Sequence, residues 1–256
     1  MSDMKVFETV TEFRNFRRQI HPDVEIGFVP TMGALHLGHA SLLEKSVADN
    51  DMTLLSIFVN PTQFNDPTDF NKYPKTWQQD IELAAAAKVD IIFAPKPAEI
   101  YAEKYRYKVS ENEFSLKLCG AHRPGHFDGV LTVVLKLLTL TQSTRAYFGE
   151  KDFQQLQLIK DMVSSFFIPT EIMACKTLRE SSGLALSSRN TRLSEAGHGK
   201  AAAIYRLITE STSAAHAKKS LIDLGFDVDY VEDHNQRRFA AASIEGVRLI
   251  DNVELK

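Results

Sequence analysis

Only two cysteines, Cys119 and Cys175, occur in the 256 residues, far apart and in no metal or redox spacing. A disulfide framework and a cysteine-ligated zinc module are thereby excluded, and two reduced thiols in a cytoplasmic protein are expected. No apolar run approaches the ~20 residues of a membrane helix, and the stretch from Met1 to Val10 has no apolar signal core. Positive charge is not in excess, with 30 Lys and Arg against 33 Asp and Glu. A broad basic field for nucleic acid is therefore missing. Internal repeats and low-complexity tracts are absent too.

What is present suits a packed globular protein, with 44% hydrophobic and 25% charged residues. Ile26–Val29, Thr53–Val59, Asp90–Ala94, Arg145–Phe148 and Thr170–Ala174 read as short buried strands. Helical stretches over 37–47, 76–88, 130–140 and 153–164 separate them, with Thr76 as an N-cap. Strands alternating with crossover helices predict a parallel sheet covered on both faces, a doubly wound α/β fold. From about Leu178 the texture changes. A Ser-rich stretch over 180–190, a helix over 199–212 and strands over 228–231 and 247–250 suggest a small C-terminal α+β domain. The expected division is 1–176 and 177–256. Arg14, Arg17 and Arg18 read as a solvated helix face.

Five segments carry polar chemistry next to these elements. Pro30-Thr31-Met32-Gly33-Ala34-Leu35-His36-Leu37-Gly38-His39 joins a strand to a helix N-terminus, where free N–H groups and the helix dipole suit phosphate. Histidines three apart share one side of a turn and can donate to phosphate oxygens, while Gly38 removes a side chain between them. A pair of polar capping residues is the plainer reading. Phe148-Gly149-Glu150-Lys151-Asp152-Phe153-Gln154-Gln155 repeats the strand–turn–helix context. There Lys151 can reach phosphate, Asp152 ribose hydroxyls and Gln155 a polar substrate, or the segment is a surface turn capped by Asp152. Gly183 to Asn190 holds Leu186, Ser187, Ser188 and Arg189, either a phosphate clamp or a polar loop. Ser56 to Phe64 ends in neutral Asn60 and Gln63, suited to a hydroxylated or carboxylate substrate, or to an Asn-Pro turn. Arg123 to Gly129 reads as a glycine-bearing loop, flanking a substrate or merely connecting elements.

Taken together and in this order, PTMGALHLGH, SIFVNPTQF, RPGHFDGV, YFGEKDFQQL and GLALSSRN resemble the pantothenate synthetase family. The segment Arg248 to Asn252 resembles it as well. The resemblance implies a Rossmann-like domain of the HxGH nucleotidyltransferase type and a smaller lid domain. It implies a homodimer and ATP with Mg²⁺ as cosubstrate. It also implies a two-step condensation of pantoate with β-alanine through a pantoyl-adenylate. Met32, Gly33, Ala34, Leu35, His36, Leu37, Gly38 and His39 would line the ATP site, with His39, His36 and Lys151 as the catalytic candidates. Gly149, Glu150, Lys151, Asp152, Leu178, Leu186, Ser187, Ser188 and Arg189 would also hold ATP. Gln63 and Gln155, with Pro30, Thr31 and Asn60 around them, would hold pantoate or β-alanine; no metal ligand is assigned. The chain departs from the family pattern at Ile100-Tyr101-Ala102, at Thr191-Arg192, at Glu180 to Gly183 and in a shorter C-terminal region. Another nucleotidyltransferase of this motif class, one that leaves AMP on its product, is the alternative function.

Overall fold

The computed structural model describes residues 4–255. Six parallel strands form the main sheet: β1 Lys5–Phe7, β2 Ile26–Thr31, β3 Met52–Ile57, β4 Ile91–Phe93, β5 Arg145–Gly149 and β6 Glu171–Cys175. Their order across the sheet is β1-β4-β3-β2-β5-β6. The near-continuous apolar runs reflect burial on both faces, which crossover helices enforce. Side-chain alternation divides each run between two cores. Phe28, Leu54, Ile91, Phe93 and Ala146 pack toward the His126–Thr141 helix, in one core with Val130, Val134 and Leu138. Val29, Leu55, Ile92 and Tyr147 pack with Leu42, Leu43 and Ala84 on the other face.

Chain progression runs from β2 outward through β3 and β4 on one side, and to β5 and β6 on the other. The direction of winding therefore reverses between β2 and β5, which pair through Gly27–Arg145 and Phe28–Ala146. Ligands in doubly wound sheets bind at such a switch point, beyond the carboxyl ends of the strands. Here β2 ends at Thr31 and β5 at Gly149, where two of the polar motifs begin.

A second sheet is antiparallel: β7 Asp227–His234, β8 Arg237–Ile244 and β9 Val247–Glu254. Ala240, Ala241 and Ala242 of β8 are fully buried: Ala240 and Ala242 pack with Ile204 and Ile208 of the Ala203–Glu210 helix, while Ala241 turns to the other face and joins the main core. β8 and the Ala214–Asp223 helix were not expected. Other details differ from the sequence reading. The helix expected over 199–212 is two helices, Glu195–Ala201 and Ala203–Glu210. Thr76 precedes the Trp77–Ala86 helix, but its hydroxyl donates to Asp80 at 3.0 Å instead of capping a backbone N–H. Arg17 is not simply solvated. Its guanidinium donates to the carbonyls of Thr141 (2.8 Å) and Gln142 (3.1 Å), satisfying the C-terminal end of the His126–Thr141 helix.

Candidate active site

A cavity of about 260 Å³ opens at the switch point. The Leu37–Asp49 helix aims its N-terminus into it and is capped by the histidine pair. The Nδ1 of His36 accepts the Gly38 N–H at 3.1 Å, and the Nδ1 of His39 accepts the His36 N–H at 3.3 Å. Both Nδ1 atoms are acceptors, so the single proton of each neutral imidazole sits on Nε2. Burial, and then the positive charge of Lys151, pushes His36 down to about 4. Burial, with His36 and Lys151 behind it, pushes His39 down to about 3. At neutral pH the pair is thus two uncharged Nε2–H donors with ring centroids 4.1 Å apart. Capping and anion binding, alternatives at the level of sequence, are here two faces of the same rings. The room a side chain at position 38 would need is occupied by the His36 ring, 2.8 Å from an added Cβ.

The turn before this helix is held from a distance. Gly33 and Ala34 have φ of +78° and +50°, and the second is unfavourable for a residue with a Cβ. The buried carboxylate of Asp80 accepts the N–H groups of Ala34 (3.1 Å) and Leu35 (2.8 Å) and holds the turn in place. Thr31 spends its hydroxyl on the Ser56 carbonyl at 2.7 Å, tying the end of β2 to β3.

The second strand–turn–helix supplies Lys151 and Asp152 from the turn Glu150–Asp152. Asn252 on β9 donates to the carbonyls of Glu150 and Lys151, both at 2.9 Å, so the C-terminal sheet fixes the turn that presents Lys151. A Cβ at Gly149 would meet nothing within 4 Å, which leaves the cavity floor open there. The neighbouring glutamines part company. Gln154 is buried and bonds the Cys119 N–H and the carbonyls of Phe114 and Lys117, whereas Gln155 faces the cavity.

From the C-terminal part, Leu178, Leu186, Ser187, Ser188 and Arg189 also line the cavity, with Leu186 beside Gly38. Arg189 and Arg192 both pair with Asp69, at 3.3 and 2.7 Å, which ties this segment to the Pro67–Asn71 helix. Asn60 is almost fully buried and its amide is spent inside the protein. It donates to Gln63 Oε1 (3.0 Å) and the Gly129 carbonyl (3.1 Å), and accepts from Tyr101 (2.7 Å). It therefore orients Gln63, whose amide also approaches Met32 Sδ at 3.3 Å.

Of the residues singled out in the sequence, the cavity is lined by Pro30, Thr31, Met32, His36, Gly38, His39, Asn60, Gln63, Gly149, Lys151, Asp152, Gln155, Leu178, Leu186, Ser187, Ser188 and Arg189. Gly33, Ala34, Leu35, Leu37 and Glu150 shape the turns without lining it. The expected loop at Arg123 to Gly129 is a correction. Gly125, at φ +77°, starts a helix at His126, and a side chain at Gly129 would collide with the Thr62 backbone. Arg123 and His126 line the cavity, as do Tyr73 and Lys176; of these, Arg123 and His126 lay in the glycine-bearing segment read from the sequence, and Tyr73 and Lys176 carried no local signal. The lining side chains include four cations, Arg123, Lys151, Lys176 and Arg189, against one carboxylate, Asp152. That balance suits a polyanion.

Comparison with known proteins agrees with this geometry. The family model described as pantoate-beta-alanine ligase matches residues 5–254. The chain is 55% identical to pantothenate synthetase of Bdellovibrio bacteriovorus, over 98% of this chain and 99% of the relative. It is 49% identical to that of Legionella pneumophila, over 97% and 99%; the C-terminal region is therefore no shorter than in these relatives. Among solved structures it resembles pantoate-beta-alanine ligase from Francisella tularensis, complexed with Beta-gamma ATP and Beta-alanine. That match has a TM-score of 0.94 at 42% identity and covers 98% of this chain and 97% of that one. Pantothenate synthetase from Thermus thermophilus superimposes with a TM-score of 0.89 at 38% identity, over 98% and 99%. A switch-point cavity with paired histidines, in a chain matched along almost its whole length, makes this protein a member of the pantoate-beta-alanine ligase family.

Proposed function

We propose that the protein condenses pantoate with β-alanine at the expense of ATP, through a pantoyl-adenylate held in the switch-point cavity. The observation that carries the mechanism is the neutral histidine pair, two Nε2–H donors at a helix N-terminus with Lys151 in the same cavity. In the first step a pantoate carboxylate oxygen attacks the α-phosphorus. A P–O bond forms to the acid and the P–O bond to pyrophosphate breaks. His39, His36, Lys151 and the helix N-terminus stabilise the charge that shifts onto the phosphate oxygens. In the second step the free amine of β-alanine attacks the acyl carbon. The C–N bond forms, the C–O bond to AMP breaks, and the amine proton leaves to solvent. Activation as an adenylate converts a poor leaving group into a good one, and the protein's share is positioning and charge stabilisation.

Gly149, Lys151, Asp152, Leu178, Ser187, Ser188 and Arg189 would grip the nucleotide, while Gln63 and Gln155 would take the hydroxyl and carboxylate groups of the acids. Mg²⁺ would arrive on the triphosphate. Such an ion keeps phosphate and water ligands and needs only one or two carboxylates, and Asp152 is the carboxylate at hand. The residues over 177–256 act as the lid, a division supported by the separate core from Leu184 to Leu249. A homodimer and a cytoplasmic location complete the reading. The exposed pair Phe166 and Phe167 offers apolar surface for association, and Cys119 and Cys175 are both free thiols. No helix among the described residues is long and apolar enough to cross a membrane.

Pyrophosphate exchange into ATP tests the first step. Exchange should require pantoate and proceed without β-alanine; exchange that ignores pantoate, or its absence, would remove the adenylate.

A further inference from the structure

Arg123 and the exposed Lys176 are the cavity cations without a carboxylate partner among the described residues, and of the two only Arg123 is partly buried. Its neighbours Arg189 and Arg248 each have a carboxylate, Asp69 at 3.3 Å and Asp229 at 2.7 Å. Among the described residues Arg123 pairs with none. It is instead held by two neutral acceptors. One N–H donates to the Gln63 carbonyl at 3.1 Å, and another lies 3.1 Å from His126 Nε2. The tautomer of His126 follows from its other contact. Nδ1 lies 2.8 Å from the Gln63 carbonyl, which can only accept, so the proton is on Nδ1 and Nε2 is free to accept from Arg123. Burial, together with the charge of Arg123, pushes His126 down to about 3, so it remains a neutral acceptor. Burial, then Arg189 and Arg248, draws Arg123 down to about 10, and it stays charged at neutral pH. A guanidinium carries five N–H donors. Two are used for anchoring, and the residue lines both the main cavity and a small adjoining recess. A half-buried cation locked in position, without a counter-ion, is a receptor for an anion.

We infer that Arg123, positioned by His126 and the Gln63 carbonyl, binds the carboxylate of the amino-acid substrate. The inference rests on the proposed reaction. Of the anions in that reaction, the triphosphate has the histidine pair, Lys151 and Arg189. The pantoate carboxylate loses its charge when it becomes the adenylate. Of the two carboxylates, that of β-alanine alone keeps its charge into the product, and it needs a permanent cation away from the reacting phosphorus. Arg123 thereby selects amines that carry an acid two carbons away and leaves the amine end free to attack.

The test compares kcat/KM for β-alanine with that for 3-amino-1-propanol, the same amine without the acid. Arg123→Gln should lower kcat/KM for β-alanine about 100-fold, the range of a lost charge-assisted contact, and change that for the neutral amine less than about threefold. Arg123→Lys, which keeps the charge and loses the fork, should retain part of the preference. Propionate should compete with β-alanine in the wild type, with an inhibition constant that rises in both variants; this readout serves if Arg123→Gln folds poorly. An undiminished preference for β-alanine in Arg123→Gln would overturn the assignment. So would loss of pantoate-dependent pyrophosphate exchange with propionate inhibition unchanged, because the guanidinium would then serve the first step. Failure of wild-type exchange is a separate result and would count against the reaction itself.

Discussion

Replacement of His39 separates its two tasks. The Nδ1 of His39 accepts one backbone N–H at 3.3 Å, and its Nε2–H faces the cavity. In His39→Asn the side-chain oxygen can stand where Nδ1 stood, so the cap is kept and the donor is lost. In His39→Gln the amide N–H reaches the place of Nε2–H. The accepted bond is long, and its loss would cost at most about 1 kcal/mol of stability. A donor aimed at developing charge is worth about 10²–10³ in kcat, or about 3–4 kcal/mol. His39→Asn should therefore melt close to the wild type and turn over about 100- to 1000-fold more slowly. His39→Gln should recover at least about tenfold of that loss. Thermal denaturation and steady-state AMP release under saturating ATP, pantoate and β-alanine provide both numbers. Turnover of His39→Asn within about threefold of the wild type would refute the role of Nε2–H.

Three further outcomes follow from the same contacts. Asp80→Ala strands the N–H groups of Ala34 and Leu35 and frees the Gly33–Ala34 turn; urea denaturation should show a loss of about 2–4 kcal/mol, and activity should fall with it. Asn252→Ala releases the carbonyls of Glu150 and Lys151, so ATP KM should rise several-fold with little change in β-alanine KM. The third concerns acid. His36, His39 and His126 have native values of about 4, 3 and 3 against an ordinary 6.5, so below pH 6.5 the unfolded chain binds protons that the native protein refuses. Stability is then lost progressively as pH falls from about 6.5 toward 3, by at most about 2 kcal/mol per histidine at pH 5 and less for the part-exposed His36. Denaturation midpoints should decline over that interval, and less steeply in His126→Gln.

The parallel sheet was legible because burial on both faces leaves a mark in composition: Phe28-Val29, Leu54-Leu55 and Ile91–Phe93 are apolar at consecutive positions. β8 was not, because Arg237-Arg238-Phe239-Ala240-Ala241-Ala242 joins charge to residues with weak strand preference. Arg238 is buried there only because Asp233 (2.7 Å) and the carbonyl of Ser211 (2.6 Å) receive its guanidinium. The phosphate-facing motifs could be read locally, since a strand end, a turn and a helix start follow one another in sequence. The supports of the site could not. Asp80 reaches a turn 45 and 46 residues earlier, and Asn252 reaches a turn more than a hundred residues before it. Arg123 and His126 sat in a segment whose glycines read as a loop. Gly125 instead begins a helix, and Gly129 admits the Thr62 backbone. Only the folded chain shows that His126 faces the carbonyl of Gln63.

Isotope transfer tests the adenylate most directly. With pantoate labelled by ¹⁸O in its carboxylate, attack on the α-phosphorus and cleavage at the acyl carbon must leave one labelled oxygen in AMP and the other in the pantothenate amide. Mass spectrometry of both products reads this out in a single experiment. Label recovered in AMP at one atom per molecule is the expected result. Unlabelled AMP, or label released in inorganic phosphate beside ADP, would contradict a carboxylate activated as its adenylate.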